Sequence, residues 1–202
     1  VLAARSADPK TSQIVDRLRQ SVDATSTLLT TLLDVSTLEA GRIQPNFRIF
    51  PVATMLATLA DQFEPEASAR GLEIGVVPSG AWIRSDPVLL ERILRNLIVN
   101  ALRYTDRGRV LLGCRHRGTH IEIQVVDSGR GILPERHGAI FEDFTRFEDE
   151  HAAGRSDSGG LGLGLAVVRR TAALLGHPVN VHSVPDRGSI FSVTVPLAVP
   201  PG

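Results

Sequence analysis

Asn96 and Asn100 stand four residues apart inside a run, Pro87 to Arg103, whose apolar residues recur at helical spacing. Four residues is one helical turn, so both amides share a face, and Arg103 lies close to it. An amide oxygen is a hard, neutral ligand. It suits Mg²⁺, which keeps several waters and binds mainly through a substrate's phosphates. Two polar residues on a helix surface making local hydrogen bonds would read the same way. Asp127 ends the apolar run Ile121 to Val126 and opens Asp127-Ser128-Gly129-Arg130-Gly131. A carboxylate at a strand end can accept a hydrogen bond from an exocyclic amine such as that of adenine, and the glycines let backbone approach the base closely. A plain Asp-Ser-Gly turn is the other reading.

Gly160, Gly162 and Gly164 alternate with Leu161, Leu163 and Leu165 immediately before a helical run. Backbone N–H groups at such a helix start can cradle a triphosphate without lysine. That matters here, because Lys10 is the only lysine. A Walker-type loop, whose lysine follows its glycines, is excluded. No Gly-x-Gly-x-x-Gly spacing supports a dinucleotide fold. Phe141, Phe144 and Phe147 recur every third residue and stack on one side of a short helix. They serve as core and could also anchor the polar loop over 148–159, so that it closes over a nucleotide and excludes water. Each signal is weak alone; in this order they point to an ATP-binding domain.

The elements that must hold these residues are legible. Asp86 is an N-cap with Pro87 in the first helical position, so a helix starts there. Val110 to Arg115 and Ile121 to Val126 read as strands around Gly118, and Val179 to Val184 and Ile190 to Val195 as a hairpin over Pro185 to Gly188. Leu163 to Leu175 reads as a helix. Phe47 to Phe50 reads as a short strand, and Val52 to Ala69 as a helix interrupted or kinked near Pro65. Leu72 to Val77 and Ala81 to Arg84 read as strands of a hairpin turning on Pro78-Ser79-Gly80. Upstream, 11–40 contains no Gly or Pro. Ile14, Leu18, Ser21, Thr25, Leu28, Leu32 and Val35 follow alternating four- and three-residue steps, a coiled-coil seam with a polar middle. Leu29 and Leu33 widen it toward a bundle helix.

The 202 residues suit one or two small domains. A formal net charge of zero provides no global field to draw nucleic acid or an anionic membrane. No apolar run approaches the roughly 20 residues a membrane helix needs. The single cysteine, Cys114, cannot form an internal disulfide and reads as a buried, inert thiol.

Residues 86–196 resemble the catalytic and ATP-binding domain of bacterial sensor histidine kinases, within the wider family that also holds gyrase, Hsp90 and MutL. The likeness rests on an N box (Asn96 to Thr105), a first glycine box (Asp127 to Ile132), an F box (Ile140 to Phe147) and a second glycine box (Gly160 to Leu165), in that order. The resemblance implies an α+β fold: a two-layer α/β sandwich with a mixed sheet and an ATP lid, of Bergerat type. It implies ATP and Mg²⁺, with Asn100 as the metal-coordinating residue and Asn96 nearby. Arg103 and Tyr104 would line the phosphate and nucleotide, Asp127 would read adenine with Gly129 and Gly131 as backbone partners, and Arg146 would stand near the γ-phosphate. Gly160, Gly162 and Gly164, with Leu161 and Leu163 between them, would form the phosphate side, and Ser189 would lie near the adenine.

Residues 10–44 resemble the second helix of that family's dimerisation and phosphotransfer hairpin, carried by Leu32-Leu33-Asp34-Val35-Ser36-Thr37-Leu38-Glu39-Ala40-Gly41. The resemblance divides the chain into a partial hairpin (1–45), a catalytic domain (46–197) and the start of a linker (198–202). It implies a homodimeric, cytoplasmic kinase region, membrane-anchored or soluble as a whole, and a response regulator or receiver domain as partner, as in hybrid kinases. None of the six histidines (116, 120, 137, 151, 177, 182) has the acidic-then-proline context of the family's phosphoacceptor. The phosphoacceptor is therefore expected upstream, and this chain alone is expected not to autophosphorylate. Two alternatives stay open: a non-catalytic nucleotide-binding module, and an ATPase of the wider family, for which Glu91 cannot be assigned as base from sequence.

Overall fold

The computed structural model describes residues 43–142 and 163–201. The seam over 11–40, Phe144, Arg146 and Phe147, the loop expected over 148–159, and Gly160, Leu161 and Gly162 lie outside the described residues.

The described chain runs β1 (Arg48–Pro51), α1 (Val52–Ala69), β2 (Leu72–Val76), β3 (Trp82–Ser85), α2 (Pro87–Tyr104), β4 (Gly108–Arg117) and β5 (His120–Asp127). Two short 3₁₀ turns follow, Pro134–Arg136 and Ala139–Phe141, then α3 (Gly164–Leu175), β6 (Val179–Val184) and β7 (Gly188–Ala198). The strands form one seven-stranded sheet in the order β1-β3-β7-β5-β4-β2, with β6 also paired to β7. β2 runs parallel to β4 and every other pair is antiparallel, so the sheet is mixed as expected.

Alternation along the central strands sets the layers. Ile121, Ile123 and Val125 of β5, Val110 and Leu112 of β4, and Phe191, Val193 and Val195 of β7 are buried. The register places Val125 opposite both Leu112 and Phe191, so these residues share one face. They join Leu56, Leu59 and Phe63 of α1, Leu90, Ile93, Leu94, Leu97 and Ile98 of α2, and Val168, Ala172 and Leu175 of α3 in a single buried cluster. The intervening residues of β5, Glu122, Gln124 and Val126, are only half-buried. The result is a two-layer α/β sandwich, the α+β architecture read from the sequence.

α2 is fixed at its start by Asp86. Its Oδ1 accepts from the Val88 and Leu89 amides at 2.9 and 3.0 Å, and its Oδ2 accepts from the Asn46 amide at 2.7 Å. One carboxylate thus satisfies two orphan donors of the helix and ties down the chain that enters β1.

Two expectations are corrected. The interruption expected near Pro65 is absent: α1 is continuous from Val52 to Ala69. Asp61, whose carbonyl loses its hydrogen-bond donor, and Pro65 itself are exposed, so water can satisfy that carbonyl, while Leu59, Phe63 and Ala67 hold the other side on the core. Second, β2 and β3 are not a hairpin. β2 joins β4, and β3 joins β1 and β7, four strand spacings away. The connection over 77–81 contains no helix, strand or turn, and Pro78 disfavours helical backbone before it.

Candidate functional site

The register that builds the core also delivers Asp127. It follows Ile121, Ile123 and Val125 at period two, so its carboxylate lies on the core-facing side, at the last step of β5. Its neighbour across the pair is Ser189, which follows the same rule on β7. Asp127 Oδ1 accepts the Gly129 amide at 2.9 Å and the Ser189 amide at 3.2 Å. Only 7% of Asp127 is exposed, and burial raises its carboxyl above the ordinary 3.8, against the Gly129 amide and the Ser189 amide and hydroxyl, which favour the ionised form. Both backbone donors sit on one oxygen, so Oδ2 keeps acceptor capacity for an incoming donor.

Gly129 and Gly131 are required by crowding. A Cβ at Gly129 would lie 2.3 Å from the Tyr104 carbonyl and 2.9 Å from Asp127 Oδ1. At Gly131, with φ +70°, it would lie 2.1 Å from the Val184 carbonyl. This loop is therefore wedged between the end of α2 and the end of β6. The Arg130 amide donates to the Tyr104 carbonyl at 3.3 Å, and the Arg130 carbonyl accepts from the Asp186 amide at 2.7 Å.

α2 contributes the rest. Asn96 Nδ2 donates to the Arg92 carbonyl at 2.8 Å, and a Cβ at Gly164 would lie 3.2 Å from Asn96 Oδ1. The start of α3 thus abuts the asparagine face of α2. Asn100 is half-buried, and its amide makes no hydrogen bond to another described residue. Leu163, the N-cap of α3, is buried and supplies no side-chain hydrogen bond, so among the described residues the first amides of that helix have no side-chain cap. Arg103 is half-buried and stands 5.9 Å from the centre of the Tyr104 ring, which is 42% exposed.

Asp127, Gly129, Gly131 and Ser189 thus gather at the C-terminal end of α2, where Tyr104 lies, while Leu163 and Gly164 adjoin Asn96, eight residues or about 12 Å back along that helix, with Asn100 and Arg103 between them in sequence. Phe141 ends a 3₁₀ turn and meets Phe191 edge-on at 6.4 Å, as a core residue. Arg146, Gly160, Leu161 and Gly162 lie outside the described residues.

Two residues of this end escaped the sequence reading. Ser183 accepts from the Ile132 amide at 2.8 Å, donates to the Gly188 carbonyl at 3.1 Å and lies 3.0 Å from Ser189 Oγ. It ties the loop to the β6–β7 turn. Its signal was available, since it shares the inward parity of Val179 and Val181. Thr105 Oγ1 is buried at the end of α2 with no partner among the described residues. The Cys114 thiol is half-buried and raised by burial, in keeping with an unreactive role. Among the described residues no helix is long and apolar enough to cross a membrane.

Comparison with known proteins agrees with this geometry. The chain is 34% identical over 170 residues to the sensor-like histidine kinase SenX3 of Mycobacterium tuberculosis, which covers 83% of this chain and 41% of SenX3. It is 30% identical over 192 residues to the sensor protein TorS of Escherichia coli, 91% of this chain and 20% of TorS. The chain therefore spans less than half the length of these relatives. Among solved structures, full-length ShkA in complex with AMPPNP superposes with a TM-score of 0.79 at 28% identity, covering 98% of this chain and 41% of ShkA. The histidine kinase AdeS of Acinetobacter baumannii shares the fold, with a TM-score of 0.75 at 22% identity over 96% of this chain and 88% of AdeS. The family model described as histidine kinase-, DNA gyrase B- and HSP90-like ATPase matches residues 85–199, and this chain belongs to that family.

Proposed function

We propose that this chain is the ATP-binding, phosphoryl-donating part of a sensor histidine kinase. The observation that carries the reading is that α2 links a buried carboxylate with its tight glycine loop, at the helix's C-terminal end, to an asparagine face against which α3 starts. Asp127 Oδ2 accepts from the adenine amine, and the tight Gly129–Gly131 backbone follows the base edge. Ser189 holds Asp127 in place through its amide. The α3 start and Arg103 meet the phosphates, which a helix N-terminus and a guanidinium both favour.

The donor set fits Mg²⁺ as an ion borne by the phosphates. Among the described residues no group of three His, Cys, Asp or Glu side chains could hold a metal, whereas the Asn100 amide offers one neutral oxygen on the phosphate side. Held there, Mg²⁺ would supply charge neutralisation to the phosphates. Asn100 orients that ion and Asn96 buttresses the α3 start. The γ-phosphoryl leaves ADP and is taken up by an imidazole nitrogen of a histidine that is none of the six in this sequence, for relay to a response-regulator aspartate.

Direct hydrolysis is disfavoured by the place of Glu91. Five residues from Asn96 correspond to about 140° around the helix, and Glu91 is paired with Arg95 at 2.9 Å. The test is calorimetric titration with a non-hydrolysable ATP analogue, with and without Mg²⁺, on the wild type and Asn100→Ala. Binding strengthened by Mg²⁺ only in the wild type supports the assignment. Phosphorylation from radiolabelled ATP of a histidine-bearing hairpin joined upstream, and none of this chain alone, supports the kinase role. Binding without any such transfer leaves the nucleotide-binding module as the function.

A further inference from the structure

Arg130 is the one loop residue between Gly129 and Gly131, and nothing in the reading above uses its side chain. Its guanidinium lies over the Tyr104 ring, 4.7 Å from the centroid, and Arg103 stands 5.9 Å from the same ring. Tyr104 is the last residue of α2, where a helix frays and a half-exposed ring would otherwise sample several rotamers. The backbone of Arg130 is itself fixed at both ends, by the Tyr104 carbonyl and the Asp186 amide. The guanidinium is therefore delivered to the ring by a loop that cannot drift from it.

We infer that Arg130 is a positioning residue for the nucleotide, which acts through Tyr104. It holds the phenol ring at the rim of the site as a preset surface for the base. A ring already ordered loses less freedom when the base arrives, which raises affinity without a new ligand contact. Arg103, the residue before Tyr104 on α2, places a second cation near the ring. The inference rests on the nucleotide reading of the site and deepens it.

The experiment is calorimetric titration of the full chain with Mg²⁺ and a non-hydrolysable ATP analogue, repeated with adenosine. It uses the wild type, Arg130→Ala, Arg130→Lys, Tyr104→Ala and the double variant Arg130→Ala/Tyr104→Ala. Arg130→Ala is expected to weaken both ligands by the same factor, about two- to fivefold, the range of an exposed cation–π contact. Arg130→Lys is expected to recover part of the loss, and Arg130→Ala to have no further effect once Tyr104 is alanine. A loss confined to the ATP analogue would make Arg130 a phosphate contact and overturn the inference. Tighter binding by Arg130→Ala would show that the guanidinium covers the ring, and would overturn it too. An unchanged affinity beside normal wild-type binding overturns this inference alone. Absence of binding by the wild type overturns the nucleotide reading and the inference with it. Arg130 is exposed, so the unaltered melting temperature of its variants serves as the folding control.

Discussion

Replacing Asp127 with Asn separates the two things its carboxylate does. Oδ1 accepts two backbone amides, at 2.9 and 3.2 Å, and an asparagine Oδ1 accepts both equally. The replaced oxygen is Oδ2, which becomes an amide donor facing the amine of the base. A hydrogen bond to a charged acceptor is worth about 1.5–3 kcal/mol. Its loss corresponds to a drop in ATP affinity of roughly 10- to 150-fold. The fold should not suffer, because burial raises the carboxyl above 3.8, which means that the site disfavours the charge that Asn removes. Calorimetry with an ATP analogue and a thermal melt of the ligand-free chain provide both readouts. The expected pair is at least about tenfold weaker binding with a melting temperature equal to or above that of the wild type. Affinity within about threefold of the wild type would refute the base-reading role. A collapse of the melt would refute the claim that the amide pair, not the charge, is what the fold needs.

The same raised pKa makes a pH prediction. Below the folded-state value Asp127 is protonated, so ATP affinity falls with acidity beginning above pH 3.8, while this group's contribution to stability is present below 3.8 and is lost as pH rises through the folded value. Binding and stability thus move in opposite directions in acid, which parallel titrations and melts would detect. His177 behaves differently. Burial lowers it from 6.5, and its Nε2 is hydrogen-bonded to Ser85 Oγ at 2.9 Å. Its contribution is full above 6.5 and is lost as pH falls below that toward the folded value, so His177→Gln should flatten the melting temperature between pH 7 and 5.5. Gly131→Ala places a Cβ 2.1 Å from the Val184 carbonyl at φ +70°, and should destabilise by about 2 kcal/mol or more, read by chemical denaturation, with ATP affinity lost in parallel. Leu94→Ala, in the fully buried face of α2, should destabilise by about 2–5 kcal/mol without altering the affinity of the fraction that remains folded.

Local rules carried most of the fold. Asp86-Pro87 marked the start of α2 because capping and the fixed proline φ are properties of adjacent residues. β4, β5 and the β6–β7 hairpin were legible for the same reason: short turns join neighbours. The hairpin expected of β2 and β3 failed because a Pro-Ser-Gly turn specifies a change of direction and not a partner. The parallel pairing of β2 with β4 joins Leu72 to Gly108 across an intervening helix, and no neighbouring residue encodes that. Pro65 misled in the opposite sense. Its missing N–H matters only where the freed carbonyl is dry, and solvent exposure is a tertiary property. Within the candidate site, Asn96, Asn100, Asp127, Gly129, Gly131 and Gly164 are legible as residue types. The Arg130–Tyr104 contact is not, because it joins a helix end to a loop that only the folded sheet brings together.

The position of Asp127 shows why strand period and site chemistry are coupled. An inward step of two residues buries Ile121, Ile123 and Val125, and the next inward step is the carboxylate. Across the pair, Val195, Val193 and Phe191 lead by the same step to Ser189. The alternation that packs the core therefore runs straight into the polar end, and a shift of one residue in the pairing of β5 with β7 would turn Asp127 away from α2. The glycines complete the coupling, since only backbone without a Cβ fits between Asp127, Tyr104 and Val184. Insertion of one residue into β5 before Val125 would test this. Where the insertion shifts the pairing by one residue, ATP binding should be abolished because Asp127 then faces away from α2; where a bulge absorbs it, the Asp127–Ser189 pair and the affinity are kept. Retained affinity in a folded insertion variant whose Asp127 no longer pairs with Ser189, read from amide and cross-strand NMR contacts, would refute the proposed dependence of the site on sheet register.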